Sequence, residues 1–121
     1  MISSNNVLIK KVRDTYSDYS KFDPYLFNTT GAYPHTKEKL FKEWGYTVHD
    51  AKWLQAEMER QAREKYVSGE YELGKLNAFG QRISIIIEIP NKANGGTIAF
   101  ISGWMVRPNG EISLTTPYGG K

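Results

Sequence analysis

The stretch from Gln81 to Tyr118 decides the fold and reads QRISIIIEIPNKANGGTIAFISGWMVRPNGEISLTTPY. Its three runs rich in β-branched and aromatic residues are separated by NKANGG and by RPNG, which both have the composition of turns. The pattern predicts a β-meander. Alternation gives its first strand one apolar face, formed by Ile83, Ile85, Ile87 and Ile89. An antiparallel sheet with one apolar face needs a cover, which the preceding half of the chain must supply.

The two later strands are expected to continue the same apolar face. In the second strand, the alternation places Phe100 and Trp104 on it. In the third strand it places Ile112, Leu114 and Thr116 there. Tyr118 follows Pro117 and lies outside this alternation.

The residues before the meander predict two helices. A short helix is predicted from about Lys37 to Trp44, and it ends at Gly45, which adopts a left-handed conformation at little cost. A longer amphipathic helix follows and ends near residues 68 and 69, with Thr47 and Asp50 as reciprocal caps at its start. Its apolar stripe consists of Ala51, Leu54, Met58, Ala62 and Tyr66.

The predicted architecture is α+β, with N-terminal helices packed on a four-stranded antiparallel sheet. The fourth strand is the segment Tyr71 to Asn77, which precedes the meander. The length of 121 residues predicts a single domain over residues 1–121. Within it, residues 1–21 form an N-terminal arm or helix, residues 22–69 the helical part and residues 70–121 the antiparallel sheet.

The composition favours some classes of partner and excludes some kinds of site. Sixteen Lys and Arg residues against 13 Asp and Glu give a net charge of +3, which is a mild preference for polyanions. With no Cys there is no disulfide framework and no thiolate zinc site, and two His residues alone predict no metal site. The sequence has no run of 18 or more apolar residues, so it predicts no membrane-spanning helix.

Two places in the sequence carry side chains suited to phosphodiester chemistry. His35 lies in a loop directly before the short helix and Lys37 opens that helix, whose N-terminus attracts phosphate. Thr116 and Tyr118 end the last strand. Cleavage of RNA through attack by the RNA's own 2′-hydroxyl needs a base, an acid and hydrogen-bond donors to the negatively charged phosphorane. Side chains of these types can supply all three. The alternative is that His35 and Lys37 are solvated and that Tyr118 seals the core.

Four further residues are candidates for substrate binding. Arg82 and Arg107 are predicted phosphate ligands, and Lys75 lies near the start of a strand at the same edge. Trp104 can stack on a base, although its phase with Phe100 favours a place in the core.

The order of features along the chain resembles that of a known group of bacterial domains. The resemblance lies in two segments, LFNTTGAYPHTKEKLFKEWGYTVHDAKWLQAEM and GWMVRPNGEISLTTPY. Between about residues 22 and 119 the chain resembles small bacterial domains at the C-termini of polymorphic toxins, among them contact-dependent growth inhibition toxins, and of some phage-related proteins. These show an Asn, a loop with His and Pro, a Lys that opens a helix, a capped helix and a Trp-x-x-Arg-Pro hairpin that closes on Thr-x-Tyr. The matching positions are Asn28, His35, Lys37, Trp104, Arg107, Thr116 and Tyr118.

The resemblance implies an antibacterial toxin ribonuclease, similar to barnase, EndoU, colicin and RelE-type ribonucleases. It implies cleavage of RNA, with tRNA as the expected target, by metal-independent transesterification without a cofactor. The expected partners are a cognate immunity protein and, as a point left open, a host translation factor, with the domain itself a monomer. Such a domain is delivered as the C-terminal part of a larger toxin and acts in the cytoplasm of the target cell.

Two alternatives belong to other functional classes. The first is a non-catalytic binding module of a phage or secretion-related protein that docks through its sheet. The second is a DNase toxin, which is disfavoured because the sequence has no cluster of metal-binding carboxylates and His residues.

Overall fold

The computed structural model describes residues 14–27 and 37–120. Its elements, in chain order, are strand β1 (Asp14–Tyr16), short helical turns at Tyr19–Lys21 and Phe22–Leu26, helix α1 (Lys37–Glu43), a short helical turn at Val48–Asp50, helix α2 (Ala51–Ser68), and strands β2 (Glu72–Asn77), β3 (Gly80–Pro90), β4 (Thr97–Val106) and β5 (Glu111–Gly120). Neither described helix is long and apolar enough to cross a membrane.

The sheet has five strands in the order β1-β5-β4-β3-β2. The α+β class is confirmed, but the prediction of a four-stranded antiparallel sheet is wrong. Strand β1 comes from the predicted arm or helix and pairs parallel to β5, with Tyr16 opposite Ser113. The other neighbours are antiparallel. A strand of three residues is too short to show an alternating pattern, so the sequence gives no sign of it.

The predicted inner face of the sheet is confirmed. In β3 the residues alternate between buried and exposed, so that Ile83, Ile85, Ile87 and Ile89 are at most 2% exposed while Ile86 is 52% exposed. The predicted stripe of α2 is buried in the same apolar cluster. Helix α2 therefore covers the inner face, and the face that carries Ile86 is the outer face.

The junction between the two helices follows the predicted turn chemistry. Gly45 has a φ of +89°, and the Tyr46 N–H donates to the carbonyl of Phe41 over 2.9 Å. This is the Schellman arrangement in which glycine tolerates the left-handed conformation. Thr47 and Asp50 form the predicted capping box, which begins the turn before α2.

A β-bulge breaks the predicted alternation in β5. Leu114 lies opposite Trp104, but the next paired residue is Thr116, which lies opposite Gly103. Between these two pairs β5 advances by two residues, whereas β4 advances by only one. The bulge therefore exchanges the faces to which the following residues of β5 point. The prediction that Thr116 faces the core is therefore wrong: a side chain added at Gly103, on the outer face, would meet Thr116 Cβ at 3.4 Å.

Helix α2 takes the place of a strand at the edge of β3. Strand β2 pairs with β3 only as far as Ser84, which leaves the rest of that edge without a strand. Gln61, only 6% exposed, accepts from the N–H of Glu88 over 2.9 Å and donates to its carbonyl over 2.7 Å. The side-chain amide thus pairs with the backbone as a neighbouring strand would.

We expect Gln61→Ala to lower the free energy of unfolding by about 1–3 kcal/mol, since it leaves a backbone N–H and a carbonyl at a part-buried edge without their side-chain partner. Arg63→Ala, on the exposed face of the same helix, is the control and should change it by less than about 0.5 kcal/mol. Urea unfolding followed by circular dichroism measures both. Equal losses in the two variants would contradict the pairing role of Gln61.

Candidate functional site

Lys37, Tyr25 and Tyr118 meet at one place, which we name the Lys37 cluster. The Lys37 ammonium lies 3.4 Å from the Tyr25 hydroxyl and 5.4 Å from the centre of that ring. It also lies 6.0 Å from the centre of the Tyr118 ring. The first turn of α1 and the end of β5 therefore converge, so that a cation is held between two phenol rings.

The Tyr118 ring is held by the aromatic core beneath it. Its centroid lies 5.7 Å from that of Phe100, 6.0 Å from that of Phe41 and 6.2 Å from that of Trp44. The residue as a whole is half-buried. Tyr118 thus packs against the edge of the core, which agrees with the alternative that it seals the core. Its ring also lies near the Lys37 ammonium.

Of the other residues predicted for the catalytic site, Thr116 lies away from this cluster. Thr116 lies beside Gly103 on the outer face, so the bulge separates its hydroxyl from the inner-face residues that Tyr118 contacts. His35 and Asn28 lie outside the described residues.

The predicted phosphate ligands collect on the outer face, in a group that we name the outer-face row. A bulge in β2 places Gly74 and Lys75 opposite Arg82 of β3, and Arg82 lies opposite Met105 of β4. Both Lys75 and Arg82 are exposed. The row spans roughly 14 Å from β2 to β5 at about 4.8 Å per strand.

Arg107 forms the far end of this row. Met105 lies opposite Ser113 of β5, and the Arg107 Nε donates to the Ser113 hydroxyl over 3.1 Å. Tyr16 of β1, also opposite Ser113, is 47% exposed. Lys75, Arg82 and Arg107 therefore lie at the end of the sheet where the β4–β5 turn is, and Tyr118 lies towards the other end.

Trp104 is fully buried, so the prediction that it stacks on a base is wrong. Its indole N–H donates to the Ser102 hydroxyl over 2.8 Å, and that hydroxyl donates to the carbonyl of Ile85. Both polar groups are satisfied inside the core. The alternation in the sequence, which places Trp104 on the same face as Phe100, already favoured this position in the core.

A cavity that the sequence did not predict lies between the α1–α2 junction and the β3–β4 turn. It has a volume of about 300 Å³ and is lined by Tyr46, Asp50, Trp53, Pro90 and Lys92. We name it the Trp53 pocket. Trp53 is 47% exposed and is stacked on Tyr46, with ring centres 6.0 Å apart and an interplanar angle of 23°. The position of Trp53 outside the apolar stripe of α2 is the sequence signal that could have drawn attention to this residue.

The charged wall of the Trp53 pocket is an ion pair. The Lys92 ammonium donates to Asp50 Oδ1 over 2.8 Å and lies 4.8 Å from the centre of the Tyr46 ring. Partial burial raises the pKa of Asp50. Hydrogen bonds from Lys92 and from the Thr47 N–H lower the pKa, as do the electrostatic interactions with Lys92 and His49, and together these effects exceed that of burial. The pKa of Asp50 therefore lies below its ordinary value of 3.8, and the carboxylate is ionised at neutral pH.

The chain belongs to a family described as Domain of unknown function (DUF6883), whose model matches residues 8–121. Searches of the curated proteins and of the solved structures give no significant match. The family covers nearly the whole chain, and its description names no activity or partner.

The lowered pKa of Asp50 predicts a pH-dependent contribution to stability. A carboxyl with a lower pKa in the folded state stabilises the fold above its unfolded pKa, and this stabilisation disappears as the pH falls through the folded value. We expect Asp50→Asn to be less stable than the wild type at pH 7, with a difference that shrinks only below about pH 4. Urea midpoints between pH 7 and pH 3 measure this. Glu43→Gln, on the exposed surface of α1, is the control; a constant difference for Asp50→Asn would contradict the assignment.

Proposed function

We propose that this member of the DUF6883 family is a metal-independent endoribonuclease with the Lys37 cluster at its active site. The observation that carries the proposal is the position of the Lys37 ammonium between the rings of Tyr25 and Tyr118. An ammonium beside the hydroxyl of one phenol and the ring of another offers positive charge and a hydrogen-bond donor to one phosphate group.

The proposed reaction is an internal transesterification. The 2′-oxygen attacks phosphorus, the bond from phosphorus to the 5′-oxygen breaks, and the products are a 2′,3′-cyclic phosphate and a 5′-hydroxyl. A base takes the proton of the 2′-hydroxyl and an acid gives a proton to the 5′-oxygen. In this scheme Lys37 neutralises a non-bridging oxygen and Tyr118 donates a hydrogen bond to the phosphate, while His35 is the proposed proton-transfer residue.

The outer-face row is proposed to bind the phosphate backbone away from the cleaved bond. Lys75 and Arg82 are exposed cations on neighbouring strands, and Arg107 continues the row beyond Ser113. Backbone phosphates are the ligands that such rows of cations attract. Thr116 lies on the same face as this row, so its proposed role is contact with the RNA backbone on that face.

The biological setting is proposed from the resemblance to bacterial toxin domains. In that setting the domain is delivered with a larger toxin, cleaves tRNA in the cytoplasm of the target cell and is blocked by a cognate immunity protein. The net charge of +3 is of the sign that an RNA substrate or an acidic inhibitor would require.

We expect Lys37→Ala to reduce RNA cleavage by about 100-fold or more, because it removes the charge beside the phosphate. Tyr118→Phe, which keeps the ring in the aromatic core, should reduce cleavage by about tenfold or more. The measurement is cleavage of total RNA and of purified tRNA by the isolated domain, with EDTA present.

Lys39→Ala is the control, since Lys39 is an exposed Lys on the same helix, and it should cleave at the wild-type rate. Intact RNA with the wild-type domain, together with harmless expression in cells, would overturn the proposal in favour of a binding module. Cleavage that stops on addition of EDTA would overturn its metal-independent form. Full activity of Lys37→Ala would remove this cluster as the site.

The outer-face row predicts how binding depends on salt. Replacement of Lys75 and Arg82 together by Ala should lower the slope of log affinity against log salt by about 1.4, at about 0.7 per phosphate contact of a single strand. The measurement is fluorescence anisotropy with a single-stranded DNA oligonucleotide, which lacks the attacking hydroxyl. Lys39→Ala with Arg63→Ala removes the same charge elsewhere and is the control. Equal slopes for both double variants would show that the row makes no phosphate contacts.

A further inference from the structure

The Trp53 pocket joins an aromatic wall to a charged wall. Trp53 and Tyr46 form the aromatic wall, and the ion pair of Asp50 with Lys92 forms the other. A volume of about 300 Å³ is at the lower end of the range for small-molecule sites, which suits one flat ring system.

The exposure of Trp53 sets it apart from the two other Trp residues of the chain. Trp44 is 6% exposed and Trp104 is fully buried, whereas Trp53 is 47% exposed. Its stacking on Tyr46 holds the indole in place. An immobilised and accessible indole is a platform for another ring, because stacking needs a fixed aromatic surface.

The walls of the pocket are fixed before any ligand binds. The Tyr46 hydroxyl donates to the carbonyl of Pro90 over 2.8 Å, and burial raises the pKa of Tyr46, so this proton stays in place at neutral pH. The N–H of Lys92 donates to the carbonyl of Trp44 over 2.9 Å. Gly45 allows this approach, because a side chain there would come within 2.8 Å of Lys92 Cβ. A rigid site loses little conformational entropy when it binds a ligand.

We propose that the Trp53 pocket binds one nucleobase of a single-stranded RNA, with guanine preferred. Trp53 stacks on the base, and Asp50 accepts hydrogen bonds from its edge. Asp50 Oδ1 accepts from Lys92 and Oδ2 accepts from the Thr47 N–H, which leaves further lone pairs on both oxygens. The adjacent N–H groups on the Watson–Crick edge of guanine are the donors that match a carboxylate, and Lys92 offsets its charge.

This inference rests on the proposed ribonuclease function and names a base-recognition site for it. The pocket is linked to the Lys37 cluster by the aromatic core. Successive ring centres from Tyr118 to Phe41, from Phe41 to Tyr46 and from Tyr46 to Trp53 are 6.0, 6.5 and 6.0 Å apart. A base in the pocket therefore lies within a few nucleotides of a phosphate at Lys37, so that the pocket can select where the RNA is cut.

The test is binding of 2′-O-methyl tetranucleotides to the full chain, because they lack the attacking hydroxyl and cannot be cleaved. Quenching of Trp fluorescence reports binding, since Trp53 is much the most exposed of the three Trp residues. We expect an oligonucleotide of guanine to bind about tenfold or more tightly than one of uracil. For Trp53→Ala, anisotropy of labelled oligonucleotides should show an affinity about tenfold lower or more.

Phe79→Ala removes another exposed aromatic residue and is the control, with unchanged binding expected. Asp50→Asn should keep the stacking but reduce the preference for guanine over uracil by about tenfold. Wild-type affinity in Trp53→Ala would overturn the inference, even if RNA is cleaved in a Lys37-dependent way. Base-selective binding through Trp53 without any cleavage would support the pocket and leave only the proposed chemistry refuted.

Discussion

Hydrogen bonds from the side chains of α2 to the backbone on either side of it hold the helix on the sheet. On one side, Gln61 pairs with both backbone groups of Glu88. On the other, Gln55 donates to the carbonyl of Ser17 over 3.0 Å, and Glu59 accepts from the Ser17 N–H over 2.8 Å. Apolar contacts hold the helix against the sheet without a preferred direction, whereas these directional hydrogen bonds add a specific position to that contact. The helix covers the inner face and leaves the outer-face row on the other side.

The helices and the inner face could be predicted because their patterns are local and regular. The Ile residues of β3 keep a strict period of two, and the junction at Gly45 and Thr47 has unambiguous turn chemistry. The short strand β1 could not be predicted, because three residues carry no period and the pairing with β5 is between distant parts of the chain.

The candidate site was predicted in part, and the errors have two physical causes. Lys37 and Tyr118 were both candidates from the sequence, and the structure brings them close together. The position of Thr116 was missed because a bulge shifts the phase of a strand and leaves no clear mark in the sequence. Trp53 was overlooked because a position outside the apolar stripe marks an aromatic residue as exposed, but only the stacking on Tyr46 shows that its indole is held in place.

The separation of the Lys37 cluster from the outer-face row limits what kind of ligand can contact both. From Met105, in the row, to Phe100, beside Tyr118, the distance along β4 is roughly 16 Å at about 3.3 Å per residue. The two places also lie on opposite faces of the sheet, so a mononucleotide cannot reach both.

Beyond Ser113 no described strand pairs with the edge of β5, which gives the proposed RNA a route between the two places. Among the described strands, β1 pairs with β5 only from Glu111 to Ser113, and beyond this the Lys21 ammonium donates to the carbonyl of Thr115 over 3.1 Å. A flexible strand of several nucleotides can follow that edge from the outer face to Lys37 and pass this cation on the way. A duplex is too stiff to turn around a single strand over such a distance. For the proposed RNA ligand, the arrangement of the cations therefore favours a single-stranded region, such as a loop, over a helical segment.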